Sequence, residues 1–234
     1  MKLKVMVNKQ EDPDPGNLIM LGDHVSIRDE SKNVRRCGNC TLCCRLMPMA
    51  GSEQIKADEV TAAMRTAGYD VPPMMKVFDK PAGQCCPHQY RKGCRVYAQR
   101  PFGCRFWQCA WLANDDAADL SRPDHCHYVV DTHFDHIVNV DPEGNRHPIG
   151  VIQIWVDPAY PDAHRDPALR AYLERRGREG WAALIRYSNI DGFVLFPPAM
   201  MEDGQFHEHQ SMTDRTREYN LLHTMAVLAG EAPV

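Results

Sequence analysis

Four cysteines within eight residues constrain this chain more than any other feature of its sequence. They lie in the stretch CGNCTLCC, residues 37–44, and a second cysteine-rich block runs from Cys85 to Cys109. At 234 residues, the chain is long enough to bury a sizeable core, so it does not need disulfides to hold a small fold together. Clustered thiols in such a chain favour metal binding or redox chemistry.

Charge and hydropathy exclude several classes of partner. The net charge is −4, which gives no overall signal for nucleic acid or for an anionic membrane surface. No apolar window reaches the length of about 18 residues that a transmembrane helix needs, so we expect no membrane partner. The first residues turn acidic and proline-rich instead of forming the apolar core of a signal peptide. The sequence therefore predicts a cytoplasmic protein, in which thiols stay reduced.

The spacing inside the first block indicates which thiols can share a metal. The pattern Cys37-x2-Cys40-x2-Cys43 lets a turning backbone aim successive thiolates at one centre, as in the opening of a bacterial ferredoxin run. Cys44 departs from that run because it directly follows Cys43. Adjacent side chains diverge by about 100° in a helix and point to opposite faces of a strand. We therefore expect the two members of an adjacent pair to serve different sites, and the same holds for Cys85 and Cys86.

The first block alone does not complete a four-ligand shell, so we expect the two blocks to come together and share ligands. Ten cysteines suffice for two four-coordinate sites with two left over, and they equally allow one cluster with free thiols. The predicted metal ligands are Cys37, Cys40, Cys43, Cys44, Cys86, Cys94, Cys104 and Cys109. An Arg100-Pro101 turn is expected to position Cys104.

The identity of the metal is less constrained than its presence. A structural zinc site with four cysteines usually shows two CxxC pairs, and the second block has none. Iron–sulfur clusters accept more scattered thiolates, so the pattern favours a [4Fe–4S] cluster over Zn²⁺. His88, His125 and His127 are alternative ligands, although a histidine in such a place is more often an ordinary surface residue.

Basic residues surround the second block. No acidic residue occurs between Lys80 and Asn114, whereas lysines and arginines are frequent there. Cations near thiols lower their pKa and stabilise thiolates, which suits a metal centre. Interleaved aromatic residues such as Tyr90 and Trp107 would also suit single-stranded nucleic acid, but no nucleic-acid-binding motif occurs and the chain as a whole is acidic, so we do not expect that partner.

The two blocks together resemble the CxxCxxCC cysteine-cluster family of zinc- or iron-chelating proteins, and more distantly the flagellin lysine N-methylases. The resemblance covers residues 36–112. The matching residues are Cys37, Cys40, Cys43, Cys44, Cys86, Gly93, Cys94, Tyr97, Arg100, Pro101, Cys104 and Arg105. It implies metal binding and, through the methylases, an iron–sulfur cluster and a protein or peptide substrate. No glycine-rich loop for S-adenosylmethionine accompanies it, so whether the chain is an enzyme stays open.

Periodicity predicts an α+β fold in three parts: an N-terminal arm with a hairpin in residues 1–35, a metal-organised module of loops and helices in 36–114, and an α+β region in 115–234. The module contains a helix that begins at a Ser52 cap, has Ile55, Val60, Met64 and Ala67 on one face and ends at Gly68. A strand is expected over Met74–Phe78.

The C-terminal region contains a meander or a hairpin pair of two or three strands between Tyr128 and Asp157, with a turn in residues 142–145. A helix over residues 168–187 begins after the Asp166-Pro167 cap and is broken or kinked near Gly177 and Gly180. The strand Phe193–Phe196 and a last helix in residues 213–229 follow.

Two further polar segments carry weaker signals. The segment Asp157–Asp166 gathers aspartates and a histidine, which suits an oxygen-ligand site, but its prolines favour a structured connector. The segment 201–211 is expected to be a loop that contains the solvated residues His207-Glu208-His209. The sequence does not indicate the oligomeric state.

Overall fold

The computed structural model describes residue 35 and residues 37–91, 93–140 and 146–209. The α-helices in these residues are α1 (Leu42–Leu46), α2 (Gln54–Thr66), α3 (Phe102–Phe106), α4 (Ala110–Ala113), α5 (Pro123–Cys126) and α6 (Pro167–Arg178). The strands are β1 (Gln89–Tyr90), β2 (Gly93–Cys94), β3 (Tyr128–Val140), β4 (Arg146–Val156), β5 (Ala182–Arg186), β6 (Gly192–Phe196) and β7 (His207–His209). Helices and sheets occur together, which confirms the predicted α+β class.

A five-stranded mixed sheet forms the framework, with the strand order β3-β4-β5-β6-β7. Strands β3 and β4 make a long antiparallel hairpin, and β4 pairs in parallel with β5. That parallel pair needs a crossover connection, and α6 provides it. Asp166 caps α6, because its Oδ1 accepts a hydrogen bond from Leu169 N at 3.0 Å, and Pro167 occupies the first helical turn. The predicted cap is confirmed.

The two faces of the β3–β4 hairpin pack against different parts of the chain. Tyr128 and Val130 on one face join Leu169 and Leu173 of α6 in the largest hydrophobic cluster. Val129 of β3 lies on the opposite face, because successive strand residues point to opposite sides. It packs with Trp155 of β4 and with the cysteine-rich residues that include Leu42 and Leu46 of α1. The sheet therefore carries a helix on one side and the cysteine blocks on the other.

An ion pair also ties α1 to the sheet. The Arg45 guanidinium lies 2.5 Å from the Asp157 carboxylate, which directly follows β4 and is only 3% exposed at its side chain. Asp157 N donates to His127 O at 2.9 Å, and Asp157 Oδ1 accepts from Ala159 N at 3.1 Å. The segment that follows β4 is thus a hydrogen-bonded connector, as its prolines indicate.

The break predicted near Gly177 and Gly180 is confirmed, but the helix predicted beyond it, up to residue 187, is wrong. Helix α6 ends at Arg178, and Gly180 adopts a positive φ of 87° that turns the chain. The next residues form β5, in which all five residues are buried at the centre of the sheet. A short, continuously apolar run fits a buried helix and a buried strand equally well, so periodicity alone did not separate them.

Helix α2 forms at the predicted place, with Gly68 ending it at a positive φ of 89°. The predicted cap is wrong, because Ser52 lies inside the 3₁₀ turn Gly51–Glu53 and the N-cap residue of α2 is Glu53. Asp79 instead accepts a hydrogen bond from Gly51 N at 2.8 Å, at the start of the 3₁₀ turn that precedes the helix. The bond joins residues that are distant in sequence, so local capping patterns do not reveal it.

The apolar stripe of α2 also differs from expectation. Ile55 and Val60 are 70% and 43% exposed, whereas Ala57 and Thr61 are buried. The helix therefore packs through its small residues and not through its large ones.

The strand predicted for Met74–Phe78 does not form. The segment is extended, but its hydrogen bonds go to scattered partners: Met75 N donates to Gln99 O and Val77 N to Gln54 Oε1, each at 2.7 Å. It ends in a single bridge between Met49 and Lys80. A strand needs a partner strand to become part of a sheet, and none runs beside this segment in the described residues.

Three further predictions have clear outcomes. Of the predicted alternatives, the two-stranded hairpin forms and the meander does not, because the segments on either side of residue 136 make the single 13-residue strand β3, which pairs with β4. Strand β6 is confirmed. The expected loop of residues 201–211 contains β7 at the edge of the sheet.

Three predicted elements lie outside the described residues: the N-terminal hairpin, the turn in residues 142–145 and the helix in residues 213–229. Among the residues that are described, no helix combines the length and the apolar character needed to cross a membrane.

Candidate metal centre

One cavity of about 1590 Å³ gathers the predicted ligands against the β3–β4 hairpin. Eight cysteines line it: Cys37, Cys40, Cys43, Cys44, Cys86, Cys94, Cys104 and Cys109. These are the eight residues that the sequence nominates. The other two cysteines, Cys85 and Cys126, are not in its lining.

The first block turns and then enters a helix. Cys40 N donates to Cys37 O at 3.0 Å, and Gly38 takes a positive φ of 54° in the turn between them. Helix α1 then carries Cys43 and Cys44 as neighbouring residues. The helix is held by its buried leucines at the hydrophobic cluster on the sheet, so the position of the thiols follows from apolar packing.

A backbone hydrogen bond joins the second block to the first. Cys86 N donates to Cys44 O at 2.9 Å. The chain then makes the β1–β2 hairpin, in which Cys94 lies opposite Gln89, and Gln89 N donates back to Cys86 O at 3.0 Å. The hairpin therefore returns Cys94 towards Cys86, and both approach α1 although 40 residues separate the two blocks.

The Arg100-Pro101 turn leads directly into α3, which carries Cys104. Arg100 is only 4% exposed, and its guanidinium donates to Tyr97 O at 2.7 Å and to Cys104 O at 3.1 Å. Cys104 Sγ lies 3.3 Å from Met49 Sδ. The expectation that the turn and the position of Cys104 are one feature is consistent with these bonds, but the sequence did not indicate that Cys104 lies in a helix.

The cysteines whose charges raise one another's pKa values fall into two groups. Burial first, and then the charges of Cys44, Cys86 and Cys94, raise the pKa of Cys104 to about 12. Burial also raises the pKa of Cys109 to about 12, and there the neighbouring thiols are Cys37 and Cys40. One group thus surrounds Cys104 and the other surrounds Cys109.

Cys43 and Cys44 connect the two groups. The interaction between their side chains is the largest influence on both: it raises the pKa of Cys43 and lowers that of Cys44 to about 7. The charges of Cys37 and Cys109 also raise the pKa of Cys43. The charge of Cys44 raises the pKa values of Cys37, Cys86 and Cys104, so it acts on both groups. That the two members of the adjacent pair serve different sites stays a prediction.

Lys80 is the buried cation nearest to this junction. It is 5% exposed, and its ammonium donates to the carbonyl oxygens of Met47, Arg45 and Pro81. Burial lowers the pKa of Lys80, although the surrounding thiols, led by Cys86 and Cys44, act in the opposite direction. In return Lys80 helps to lower the pKa of Cys44. A charged lysine therefore favours a thiolate where the two groups meet.

Sequence analysis missed a buried carboxylate on the sheet side of the cavity. Asp131 of β3 is 5% exposed, and it accepts hydrogen bonds from Trp107 Nε1 at 3.0 Å and from Trp155 Nε1 at 3.2 Å. The backbone N and the Nδ1 of His133 lie 3.0 and 3.1 Å from the same carboxylate. The only signal in the sequence is one acidic residue that interrupts the apolar run Tyr128–Val130.

These contacts keep the carboxylate charged. Burial would raise the pKa of Asp131, but the hydrogen bonds from His133 and Trp107 outweigh it and lower the pKa below its usual value. The Asp131 bond in turn raises the pKa of His133, against a smaller opposing effect of partial burial. Asp131 therefore anchors both the sheet and the segment that leads to Cys109.

The cavity supplies suitable donors for a thiophilic metal, but the thiols are not arranged around a point. Among the residues that the structure describes, no group of three or more His, Cys, Asp or Glu side chains is disposed to hold a metal ion. The donor chemistry fits zinc or an iron–sulfur cluster, since both take thiolates. The mutual repulsion that raises the thiol pKa values is also the repulsion that a bound cation would relieve.

The remaining candidates lie apart from this cavity or at its edge. Cys126 is buried, and its thiol approaches Ser121 O at 3.4 Å and Tyr128 O at 3.6 Å, so packing accounts for it. Cys85 is exposed and donates to Gln89 Oε1 at 2.8 Å. His88 lines the cavity, where it makes an edge-to-face contact with Phe78 at 5.3 Å.

The histidines near Cys126 are also outside the cavity lining. His127 stacks on Tyr160 with a centroid distance of 3.6 Å, and His125 is 68% exposed at its side chain. His207, in the edge strand β7, lies 2.7 Å from the Asp203 carboxylate. These contacts are typical of ordinary surface and loop histidines.

Most of the basic residues of the second block are engaged with the protein itself. Arg105 is 7% exposed and donates to Ala98 O. Arg91 and Arg95 lie over the Tyr90 ring, with distances of 5.2 and 4.5 Å to its centroid.

Comparison with known proteins adds no relative. No protein-family model matches the chain, and neither a curated protein nor a solved structure matches it significantly. The resemblance to the cysteine-cluster proteins therefore stays a prediction that rests on the quoted residues.

Proposed function

We propose that this chain is a cytoplasmic metal-binding protein whose eight clustered cysteines hold an iron–sulfur cluster or zinc. The observation that carries the proposal is that the eight nominated cysteines line one cavity, while Cys85 and Cys126 do not. Metal entry would draw the thiolates together around the ion, which is the usual coupling between metal binding and local folding.

A [4Fe–4S] cluster is favoured over zinc because of the ligand spacing. The second block has no CxxC pair, and its thiols come instead from a hairpin and from the helix α3. Iron–sulfur clusters accept ligands from such separate elements, whereas zinc ribbons usually take them from paired CxxC turns. The cluster would support a redox reaction or the modification of a protein or peptide partner, in line with the resemblance to the flagellin lysine N-methylases.

A structural zinc module that presents the sheet to a partner is the second candidate. The observation in its favour is that Cys37, Cys40 and Cys43 pack with the hydrophobic cluster formed by α1 and the sheet. A metal there would stabilise the attachment of the first block to the sheet. A third candidate, metal delivery or sensing, requires that the metal leave without unfolding the chain.

The experiment that separates these candidates is spectroscopy and elemental analysis of anaerobically purified protein. An iron–sulfur cluster gives a brown protein with broad visible absorption that bleaches with dithionite, together with iron and acid-labile sulfide. A colourless protein with stoichiometric zinc would contradict the cluster and support the structural module. Metal that a chelator removes without loss of tertiary structure would support delivery, and protein without bound metal would contradict all three.

A further inference from the structure

An apolar patch lies on the face of the sheet that also carries the cysteine blocks. We call it the β4–β6 patch; it consists of Val151 of β4, Ala182 and Leu184 of β5, and Val194 of β6. Val151 pairs with Ala182 and Leu184 pairs with Val194, which places the side chains of each pair on the same face. All four residues are buried, with exposed fractions between 0 and 4%.

The described residues supply little cover for this patch. Helix α6 packs on the opposite face of the sheet, through Leu169 and Leu173. Helix α1 packs with Val129 and Trp155, which belong to a separate cluster. Among the described apolar residues in the cluster of the β4–β6 patch, only Met200 lies outside the strands. A sheet buries an apolar face against a second layer, so this patch needs a layer from elsewhere in the chain or from a partner.

The described part of the chain ends beside the patch. Strand β7 pairs with β6, and its last residue, His209, lies opposite Val194. The ring of His209 makes an edge-to-face contact with Phe196 at 5.0 Å, and Phe196 packs against the patch. Residues 210–234 therefore start next to the surface that needs a cover.

The N-terminal segment starts at a different place. The Arg35 guanidinium donates to Asn114 O at 2.6 Å and to Ala117 O at 3.2 Å. Ala117 belongs to the hydrophobic cluster of α6 and not to that of the β4–β6 patch. Residues 1–34 are therefore less well placed to cover the patch than the C-terminal segment.

The C-terminal segment has the apolar pattern and the length that such a cover requires. The helix predicted for residues 213–229 carries an apolar stripe of Leu221, Leu222, Met225 and Leu228. A helix of this length extends about 25 Å, because each residue adds about 1.5 Å. The three strand spacings from β7 to β4 amount to only about 14 Å. The segment is therefore long enough to reach every strand of the patch.

We propose that residues 213–229 dock as an amphipathic helix on the β4–β6 patch and bury it. Burial of the stripe against the patch supplies the driving force. Gln153 of β4 and Arg186 of β5 lie on the same face as the patch and line the cysteine cavity. The docked helix therefore borders this cavity, although the inference does not depend on metal binding.

The first test is photo-crosslinking of the anaerobically purified full chain, with a benzophenone amino acid in place of Leu222. We expect an intramolecular product, which mass spectrometry maps to the strands β4, β5 and β6. The matched control carries the same group in place of His223, which lies about 200° around the helix from Leu221 and faces away from the stripe. The control should not form this product.

The second test measures thermal unfolding of full-length variants. Leu221→Asp/Leu228→Asp places two charges on the stripe, so it should lower the thermal midpoint by several degrees. Thr216→Asp/His223→Asp places the same charges on the opposite side of the helix, and its midpoint should stay at the wild-type value.

Each outcome decides the inference. Crosslinks from position 222 to another part of the chain, or to a second copy of it, would overturn the proposal. Equal products from positions 222 and 223, or no product from either, would do the same. An unchanged thermal midpoint for Leu221→Asp/Leu228→Asp would also contradict it. None of these results bears on metal binding by the cysteines, so the proposed function would stand or fall separately.

Discussion

The substitution Asp131→Ala tests whether one buried carboxylate holds the cysteine segment against the sheet. The wild-type carboxylate satisfies the indole N–H groups of Trp107 and Trp155, and alanine leaves both without their acceptor. A buried donor that loses its partner costs about 1–3 kcal/mol, so the two together cost about 2–6 kcal/mol. Removal of a buried charge offsets part of this cost, and we expect a net loss of about 2–4 kcal/mol. That is a large part of the ~5–15 kcal/mol that stabilises a typical domain.

The assay is equilibrium urea unfolding of the reduced, metal-free full chain, followed by tryptophan fluorescence. The matched control is Asp135→Ala, a partly exposed carboxylate on the same strand, whose loss should cost less than about 1 kcal/mol. If Asp131→Ala were no more destabilising than this control, the hydrogen bonds to the two indoles would not contribute to stability and the reasoning would be wrong.

Four further predictions concern pH, the sheet and the surface of α2. Folding raises the pKa of His133, so this histidine should contribute its full stabilisation below its unfolded pKa of about 6.5. The stabilisation should disappear as the pH rises through the pKa of His133 in the folded state. Above that pH, the urea midpoints of wild type and His133→Gln should converge. Asp131 has the opposite pH dependence, because folding lowers its pKa. Its contribution to stability should be lost as the pH falls and the carboxylate becomes protonated. Asp131→Asn should therefore lose less stability in acid than wild type. Gly192→Ala places a Cβ 2.3 Å from Ile185 O, so it should lower the thermal midpoint by several degrees, whereas an unchanged midpoint would refute this close approach. Ile55→Gln, at a 70% exposed position, should change the free energy of unfolding by less than about 0.5 kcal/mol, and a loss above 2 kcal/mol would show that the side chain is buried in solution.

The sequence predicted best where local chemistry decides the structure. Three elements follow from the backbone preferences of single residues and form as expected: the Asp166-Pro167 cap, the glycine end of α2 and the strand Phe193–Phe196. The eight cysteines were nominated by spacing and by the quoted resemblance, and the same eight line one cavity.

The sequence failed where distant partners decide the structure. The run Ala182–Arg186 is a strand because β4 and β6 flank it, and nothing local separates such a run from a buried helix. Asp131 reads as an interruption in a strand until Trp107 and Trp155 bring their N–H groups to it. Lys80 was expected to be one of several cations near the thiols, but the sequence did not indicate that it is buried among carbonyl oxygens. Pairings of this kind depend on tertiary structure.

The most direct test of the central claim is the metal content of anaerobically purified wild type, Cys85→Ser and the double variant Cys104→Ser/Cys109→Ser. Cys85 is exposed and outside the cavity lining, so its variant is the matched control. We predict that the wild type and Cys85→Ser carry equal amounts of iron with sulfide, or of zinc, and that the double variant loses most of it. Wild-type protein free of metal, or equal metal in all three proteins, would contradict the account.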